Sequence, residues 1–509
     1  MRFIKFFIFG SLLTFFVMVI TNIFLGMGSN SGLTQDYILN IIFSIMFVLL
    51  FGVFITGLFF FLTKIKRNKT KHFFIVIAVL SVILQIMLVL FIPAGLHTDM
   101  LTVFDNAKNF LNGNFSAFNV GNYLSRYPNN IGYTLFVSGI LSFFKNSILI
   151  VRLVNVIFTT LTMFYTYLLF IKMFPRFKEY SLSVYAIAFL FVPAILMNNL
   201  FYGDISSISF CVIGVYYAMR YVETSKYRYL LLSSLLIMLG NFMRGSGVIF
   251  LGAIIVYFIF QFILSDTKPF IKLKGFVSIV VLIAFFCLPV QVFDFVGLQT
   301  GIIKEPIYTH SIPIVSWVEM GIPGNGSLGR WNNDNNKIVK ETGYDKNKAT
   351  DLIFAKLSDK LVEKGPIQSV VDYYDKMMYL WSDGSFEAEF YGMPTGKASK
   401  NFKYLYQTPI SKYINQNQDF TLILQWIFKY SYLWLLIFAS AYLIFTIKRK
   451  KFEFEIGVYL IGGFILFYLF WEIKIRYIFG VYPFLLIIAL AGLSEVVDKL
   501  RRWRFNRKS

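Results

Sequence analysis

Runs of about 20 apolar residues recur along most of this 509-residue chain, and they constrain the fold before any motif does. Each is long enough to cross the ~30 Å hydrocarbon core of a bilayer as a helix. In lipid, backbone N–H and C=O groups must pair within their own segment, so such runs fold as helices rather than open sheets. The expected spans are 6–25, 38–63, 73–93, 148–171, 182–201, 205–221, 230–243, 247–264, 276–294, 426–447, 455–470 and 477–497. The first follows only Arg2 and Lys5 and lacks a small-residue cleavage site, so a retained span is expected rather than a removed signal peptide. Composition agrees: 57% hydrophobic, 15% charged and a mean hydropathy of +0.65 exclude a soluble globular enzyme.

The net charge of +21 would suggest nucleic acid in a soluble protein. In a membrane chain it is first a topology signal, because cytoplasmic loops collect Lys and Arg. The apolar stretch 131–144 decides the pattern. If it spanned, Lys172, Arg176 and Lys178 would fall on the side opposite the other basic loops. If it lies re-entrant or flat on the outer face, seven segments fall inside: 1–5, 64–72, 172–180, 220–229, 265–275, 448–452 and 498–509, with 26 Lys and Arg between them. The second arrangement gives about twelve spans with both termini cytoplasmic. The expected fold is thus an all-α polytopic membrane protein of the cell membrane.

One segment breaks the apolar pattern. Residues 295–425 are polar, rich in Gly, Asn and Asp, and carry 14 basic and 14 acidic residues. They are expected to form a smaller mixed or α+β extracytoplasmic domain. The organisation read from this is an N-terminal transmembrane module, 1–294, with a first outer loop at 94–147, then the outer domain 295–425, then C-terminal helices and a basic tail, 426–509. Within the outer domain, GNGSLG at 324–329 fits G-x-G-x-x-G, but no βαβ unit surrounds it. No G-x-x-x-x-G-K-[ST] occurs, which argues against an ATP-driven pump. Cys211 and Cys287 both lie in apolar stretches, so neither a disulfide framework nor a cysteine zinc site is expected.

Ionisable groups at a membrane edge are costly and mark cavities or sites. This topology places six distant groups of them on the outer face: Asp99 and Asp105; Arg126 in SRYPNN; Arg152; Asp204 in the turn YGD; Arg244 in MRGSG; and Glu472, Lys474, Arg476 and Tyr477 in WEIKIRY. Each also has a plainer reading. Asp99 fits a helix cap, Arg126 and Lys474 fit snorkelling cations, and Asp204 fits a turn residue. The plain reading is weakest for WEIKIRY, where three charges and two aromatics share one short turn. His97, two residues from Asp99, reads either as an orienting or metal-ligating neighbour or as an interfacial histidine. Trp317, Trp331 and Trp381 offer faces for sugar rings or form the core of the outer domain.

These residues resemble a known family. An early Asp in the first outer loop (HTDM), then YPNNIGYTLF as a surface helix, then Ile150-Val151-Arg152-Leu153 at the next span, look like the GT-C superfamily of polyprenyl-phosphate-sugar-dependent glycosyltransferases. The likeness is to the protein O-mannosyltransferase and aminoarabinose-transferase group, and WEIKIRY is similar to the Glu…Arg-Tyr motif of its Gram-positive members. The resemblance covers residues 73–264 and 455–482 and leaves only fragments such as GRWN and LWSDG in 295–425. It implies an inverting transfer of a sugar from a polyprenyl-phosphate donor to a cell-envelope glycopolymer or glycolipid acceptor. Asp99 matches the family's catalytic Asp. Arg126, Arg152, Arg244, Lys474 and Arg476 become candidates for the donor phosphate, Asp105, Asp204 and Glu472 for orienting carboxylates, and Tyr127, Trp381 and Tyr477 for sugar or acceptor contacts. A divalent metal assists some relatives; no strict D-x-D stands here, and no metal ligand is assigned.

Two other functions stand beside this one. A glycan ligase or polymerase using a polyprenyl-diphosphate donor, as in teichoic acid assembly, needs the same base and phosphate clamp. A lipid or solute transporter would place ionisable groups near mid-bilayer in two similar halves, and neither feature is present.

Overall fold

The computed structural model describes the chain except residues 26–36, 66, 145–146, 265–267, 325–326, 363–364, 395–406 and 507–509. Parts of the basic segments 64–72, 265–275 and 498–509, and of the GNGSLG stretch, therefore lie outside the described residues.

Among the described residues, eight helices are long and apolar enough to cross a membrane: Arg2–Leu25, Ile41–Thr63, Lys71–Phe91, Ile148–Met173, Asp204–Thr224, Pro269–Gln299, Asp419–Arg449 and Ile475–Trp503. A ninth expected span is a bent pair, Pro175–Phe189 and Val192–Asn199, with a 41° angle between its halves. The remaining three coincide with shorter apolar helices, Tyr227–Met243, Gly247–Ile263 and Glu455–Phe470. The stretch Ile131–Phe144 is a 14-residue helix, about 21 Å long at 1.5 Å per residue and short of a bilayer core. The chain is an all-α, multi-pass membrane protein.

Ile475–Trp503 is the hub, with 94% of its apolar window buried, while Pro269–Gln299 and Lys71–Phe91 keep 11% and 17% buried and face outward. A break in a span frees backbone carbonyls that lipid cannot satisfy, so neighbouring side chains must. Here Ser81 Oγ donates to the Phe189 carbonyl at 2.6 Å. Asn155 Nδ2 donates to the carbonyls of Asn198 and Leu200 at 3.1 and 2.9 Å. Asn199 Nδ2 serves Ile92 and Gly392 at 2.7 and 2.9 Å. That last bond ties the broken span to residue 392, far along the chain.

The segment 295–425 corrects the expected mixed or α+β character. It forms helices Ile314–Gly321, Asp334–Glu341, Lys346–Val362, Pro366–Trp381, Ala388–Gly392 and Pro409–Gln416. Only two isolated β-bridges occur among the described residues, Gly324 with Ser327 and Arg330 with Ile473. Nor is the segment wholly separate. Met377, Met378, Trp381, Phe386 and Tyr391 belong to the main hydrophobic core, and the Trp381 ring meets Phe15 of the first span edge to face at 5.4 Å.

Charged groups collect at the two ends of the bundle. At one end, Lys5 pairs with Glu455, Arg176 with Glu453 and Glu495, Arg449 with Glu495, and Arg501 with Glu179. The four cations and Glu179 come from segments expected inside, and Glu453, Glu455 and Glu495 stand next to such segments. The segments expected outside meet at the other end.

Candidate functional site

Asp204 opens the helix Asp204–Thr224, where the N-terminal end of the helix dipole favours a carboxylate. Gly203 just before it lies so close to the end of helix Tyr227–Met243 that a Cβ would sit 2.1 Å from the Met243 carbonyl oxygen. Glycine therefore lets the two helix ends touch, and the touch puts Arg244 beside Asp204. Arg244 Nε lies 3.8 Å and Arg476 Nε 3.7 Å from the same Asp204 Oδ1. Neither pair closes to hydrogen-bonding distance. Among the described residues, Asp204 Oδ2 and Arg476 Nε are buried without a hydrogen-bond partner.

Tyrosines enclose the two guanidinium groups. Arg244 sits 4.6 Å from the Tyr202 ring centre and 5.5 Å from that of Tyr477. Arg476 sits 4.3 Å from the Tyr391 ring centre and 5.1 Å from that of Tyr202. Stacking of this kind holds an arginine's plane while leaving its N–H edge for an anion. The Tyr202 hydroxyl donates to Asn130 Oδ1 at 2.7 Å, and Asn130 Nδ2 donates to the Tyr123 hydroxyl at 2.9 Å. The helix Ile131–Phe144 that follows Asn130 thus starts against the arginine cluster.

Asp99 stands half-buried in the first turn of helix Thr98–Leu111. Its charge acts on His97, Tyr123, Tyr127, Tyr202 and Tyr391, which places it on the rim of the same cluster. Thr98 beside it takes φ +49°, and Phe386 and Glu387 take +54° and +58°. Such values are costly for side-chain-bearing residues, most of all β-branched ones, and strained backbone of this kind clusters at functional sites. The His97 ring packs on Phe390 and Tyr391 at 4.9 and 5.7 Å. Burial, then the Arg476 charge, pushes its pKa down to about 4 against the pull of Asp99, so it is neutral at pH 7.

Glu472 is buried, and the Tyr477 hydroxyl hydrogen-bonds to it, while its Oε1 has no partner among the described residues. Burial pushes its carboxyl up from the usual range, opposed chiefly by Lys474. Glu387 is likewise pushed up by burial and drawn back by Arg476 and Lys474. Lys474 lies half-buried between these two carboxylates.

The structure thus brings together Asp99, Asp204, Arg244, Glu472, Lys474, Arg476, Tyr127 and Tyr477 of the residues expected from sequence. It does not bring all of them. Arg152, taken above as a phosphate ligand, is buried and donates to the Ala94 carbonyl at the start of the first outer loop. Asp105 stands further along its helix, and no ion pair or hydrogen bond joins it to the cluster among the described residues. Arg126 spreads over the Tyr127 ring at 5.3 Å, while its carbonyl receives the Ile312 N–H at 3.1 Å. Trp381, taken above as a sugar contact, is 1% exposed and forms core. Tyr202, Tyr391, Tyr123, Asn130 and Glu387 were missed. Tyr202 is the first residue of the turn YGD already singled out for Asp204; Tyr391 and Glu387 lie in the outer segment, where no pattern marked them.

No group of three or more His, Cys, Asp or Glu side chains capable of holding a metal occurs among the described residues.

Fold and site define a helical integral membrane protein with a buried arginine–carboxylate–tyrosine cluster at one end of its bundle. The chain belongs to the family described as conserved hypothetical integral membrane protein, which it matches over residues 1–496. No curated protein is significantly similar to it. Among solved structures, it is similar to the archaeal oligosaccharyltransferase AglB from Archaeoglobus fulgidus, determined in complex with an inhibitory peptide and a dolichol-phosphate, with 14% identity and a TM-score of 0.44. The match covers 86% of this chain and 52% of that one, so the chain spans about half of AglB. A likeness of this degree defines neither a shared fold nor a shared activity.

Proposed function

We propose that this protein is an inverting membrane glycosyltransferase that moves a sugar from a polyprenyl-phosphate carrier to a cell-envelope glycopolymer or glycolipid. It would lie in the plasma membrane with twelve spans, the seven basic segments inside and the site outside. The observation that carries the reading is the meeting of Asp99, Asp204, Arg244, Glu472 and Arg476 in one place, from segments hundreds of residues apart.

Asp99 takes the proton of the acceptor hydroxyl as its oxygen bonds to the anomeric carbon. The bond from that carbon to the phosphate oxygen breaks, and the polyprenyl phosphate leaves with the electron pair. Arg244 and Arg476 hold the growing charge on that oxygen; fixed cations in a site shielded from water do this better than water does. Asp204 keeps the two guanidinium groups apart and oriented. Neutral His97 packs Tyr391 against Arg476 without adding a charge. No step here is routed through a metal.

The test is a comparison of envelope lipids between a deletion strain and its parent. A polyprenyl-linked sugar should accumulate, with one envelope glycan missing its sugar, and Asp99→Asn should reproduce both changes. Accumulation of a diphosphate-linked glycan would replace the donor by the ligase class. Unchanged lipids and glycans would refute glycosyl transfer.

A further inference from the structure

Among the described residues, Lys376 is the most deeply buried cation outside the arginine cluster, with none of its surface exposed. It stands on the polar-segment helix Pro366–Trp381, yet its ammonium reaches the WEIKIRY turn. Nζ donates to three main-chain carbonyls: Gly321 at 2.5 Å, Leu469 at 2.9 Å and Trp471 at 2.9 Å. An ammonium has three N–H donors and no acceptor, so these three carbonyls satisfy it completely. Burial pushes its pKa down to about 7; Glu472 pulls it up and Lys360 pushes it further down.

The three carbonyls belong to two strands of chain that meet here. Gly321 ends helix Ile314–Gly321 so close to the turn that a Cβ would lie 2.3 Å from the Phe470 carbonyl oxygen. The Glu472 N–H donates to the Trp317 carbonyl at 3.0 Å, and the Ile473 N–H to the Gly329 carbonyl at 2.9 Å. The backbone carrying Glu472 and leading to Arg476 is thus pinned on one side by its own N–H groups. Lys376 pins its other polar edge.

We propose that Lys376 is a positioning residue that locks the end of helix Ile314–Gly321 to the turn 469–473, and so fixes where Glu472 and Arg476 stand. The cluster and helix Ile314–Gly321 then move as one unit. The lock itself rests only on the geometry above; its use in glycosyl transfer rests on the function proposed in the preceding section.

The test uses the full-length protein in lipid nanodiscs and two variants, Lys376→Gln and Lys376→Met. Hydrogen exchange is read at the amides of Glu472 and Ile473, and binding is read with farnesyl phosphate as the probe. Gln retains a donor group on a shorter stem; Met fills the volume with no donor. Loss of a hydrogen-bonded charge should speed exchange at those two amides about 10- to 100-fold in Lys376→Met. Lys376→Gln should fall between Met and the wild type, and probe affinity should fall in the same order. A packing role alone reverses that order, because Met replaces the stem better than Gln, and so overturns the proposal. Unchanged exchange at Glu472 and Ile473 in both variants overturns it as well. If Met does not fold, Gln against wild type still reads the exchange at the two amides. A wild type that ignores the probe while the exchange order holds supports the lock and removes the phosphate reading.

Discussion

Replacing Asp204 by Asn tests the centre of the cluster with almost no change of shape. The carboxylate is 8% exposed and stands 3.7 and 3.8 Å from two guanidinium nitrogens. At an effective dielectric constant of about 20, each such pair is worth roughly 4 kcal/mol of gross attraction. The variant loses both pairs and leaves two buried cations facing each other. Removing one partner of a buried ion pair costs about 3–5 kcal/mol, because the charge left behind stays desolvated. Asp204→Asn should therefore lower the apparent Tm of the detergent-solubilised protein by several degrees. Inorganic phosphate supplies an anion where the carboxylate was, and a ligand that binds only the folded state stabilises it by mass action. Millimolar phosphate should raise the Tm of the variant more than that of the wild type, and sodium chloride at equal ionic strength should not. A variant as stable as the wild type, or one whose Tm responds equally to both salts, would refute the account of Asp204 as the counter-charge to Arg244 and Arg476.

Other outcomes follow from named groups. Asp99→Asn should cut transfer about 10²- to 10⁴-fold, the usual contribution of a general base, with farnesyl phosphate binding retained; a normal rate would move the base role to another carboxylate. His97 is held neutral, its pKa lowered to about 4 from an ordinary 6.5. Below pH 6.5 the unfolded chain binds a proton there that the folded one refuses, so stability falls as pH drops from about 6.5 to about 4. His97→Gln should flatten that part of the Tm–pH curve; an identical slope in both proteins would show that His97 is not the group responsible. Lys178→Cys, with exposed Cys287 replaced, should be labelled only from the cytoplasm. Labelling from outside would mean that Ile131–Phe144 crosses the membrane.

Much of the fold was legible because a bilayer leaves few choices. Apolar length alone marked the eight helices long enough to cross a membrane, and even the bent pair appeared as a single run, 182–201, although its 41° break did not. That break stands next to Pro193 and is met by side chains from other helices, Ser81 and Asn155, which a local pattern cannot supply. The surroundings of Arg152 and Trp381 were illegible for a related reason. An arginine near a span end looks the same in sequence whether it faces an anion or, as here, the Ala94 carbonyl. A tryptophan in a polar stretch gives no sign that its helix runs back into the core against Phe15. The α+β expectation failed because Gly, Asn and Asp clusters mark turns of any kind, and here they separate short helices.

By itself the sequence determined that this chain lives in a membrane as helices, and it supplied the expected orientation of those helices and the charges expected at each rim. Those follow from local quantities: the apolar length of each run and the bias of Lys and Arg between loops. Only the tertiary structure decided that Asp204 stands between Arg244 and Arg476, that Tyr202, Tyr391 and Tyr477 enclose them, and that Lys376 ties the outer segment to the WEIKIRY turn. Contacts between residues hundreds of positions apart depend on how helices pack, and packing is set by shape over the whole bundle rather than by any one stretch of chain.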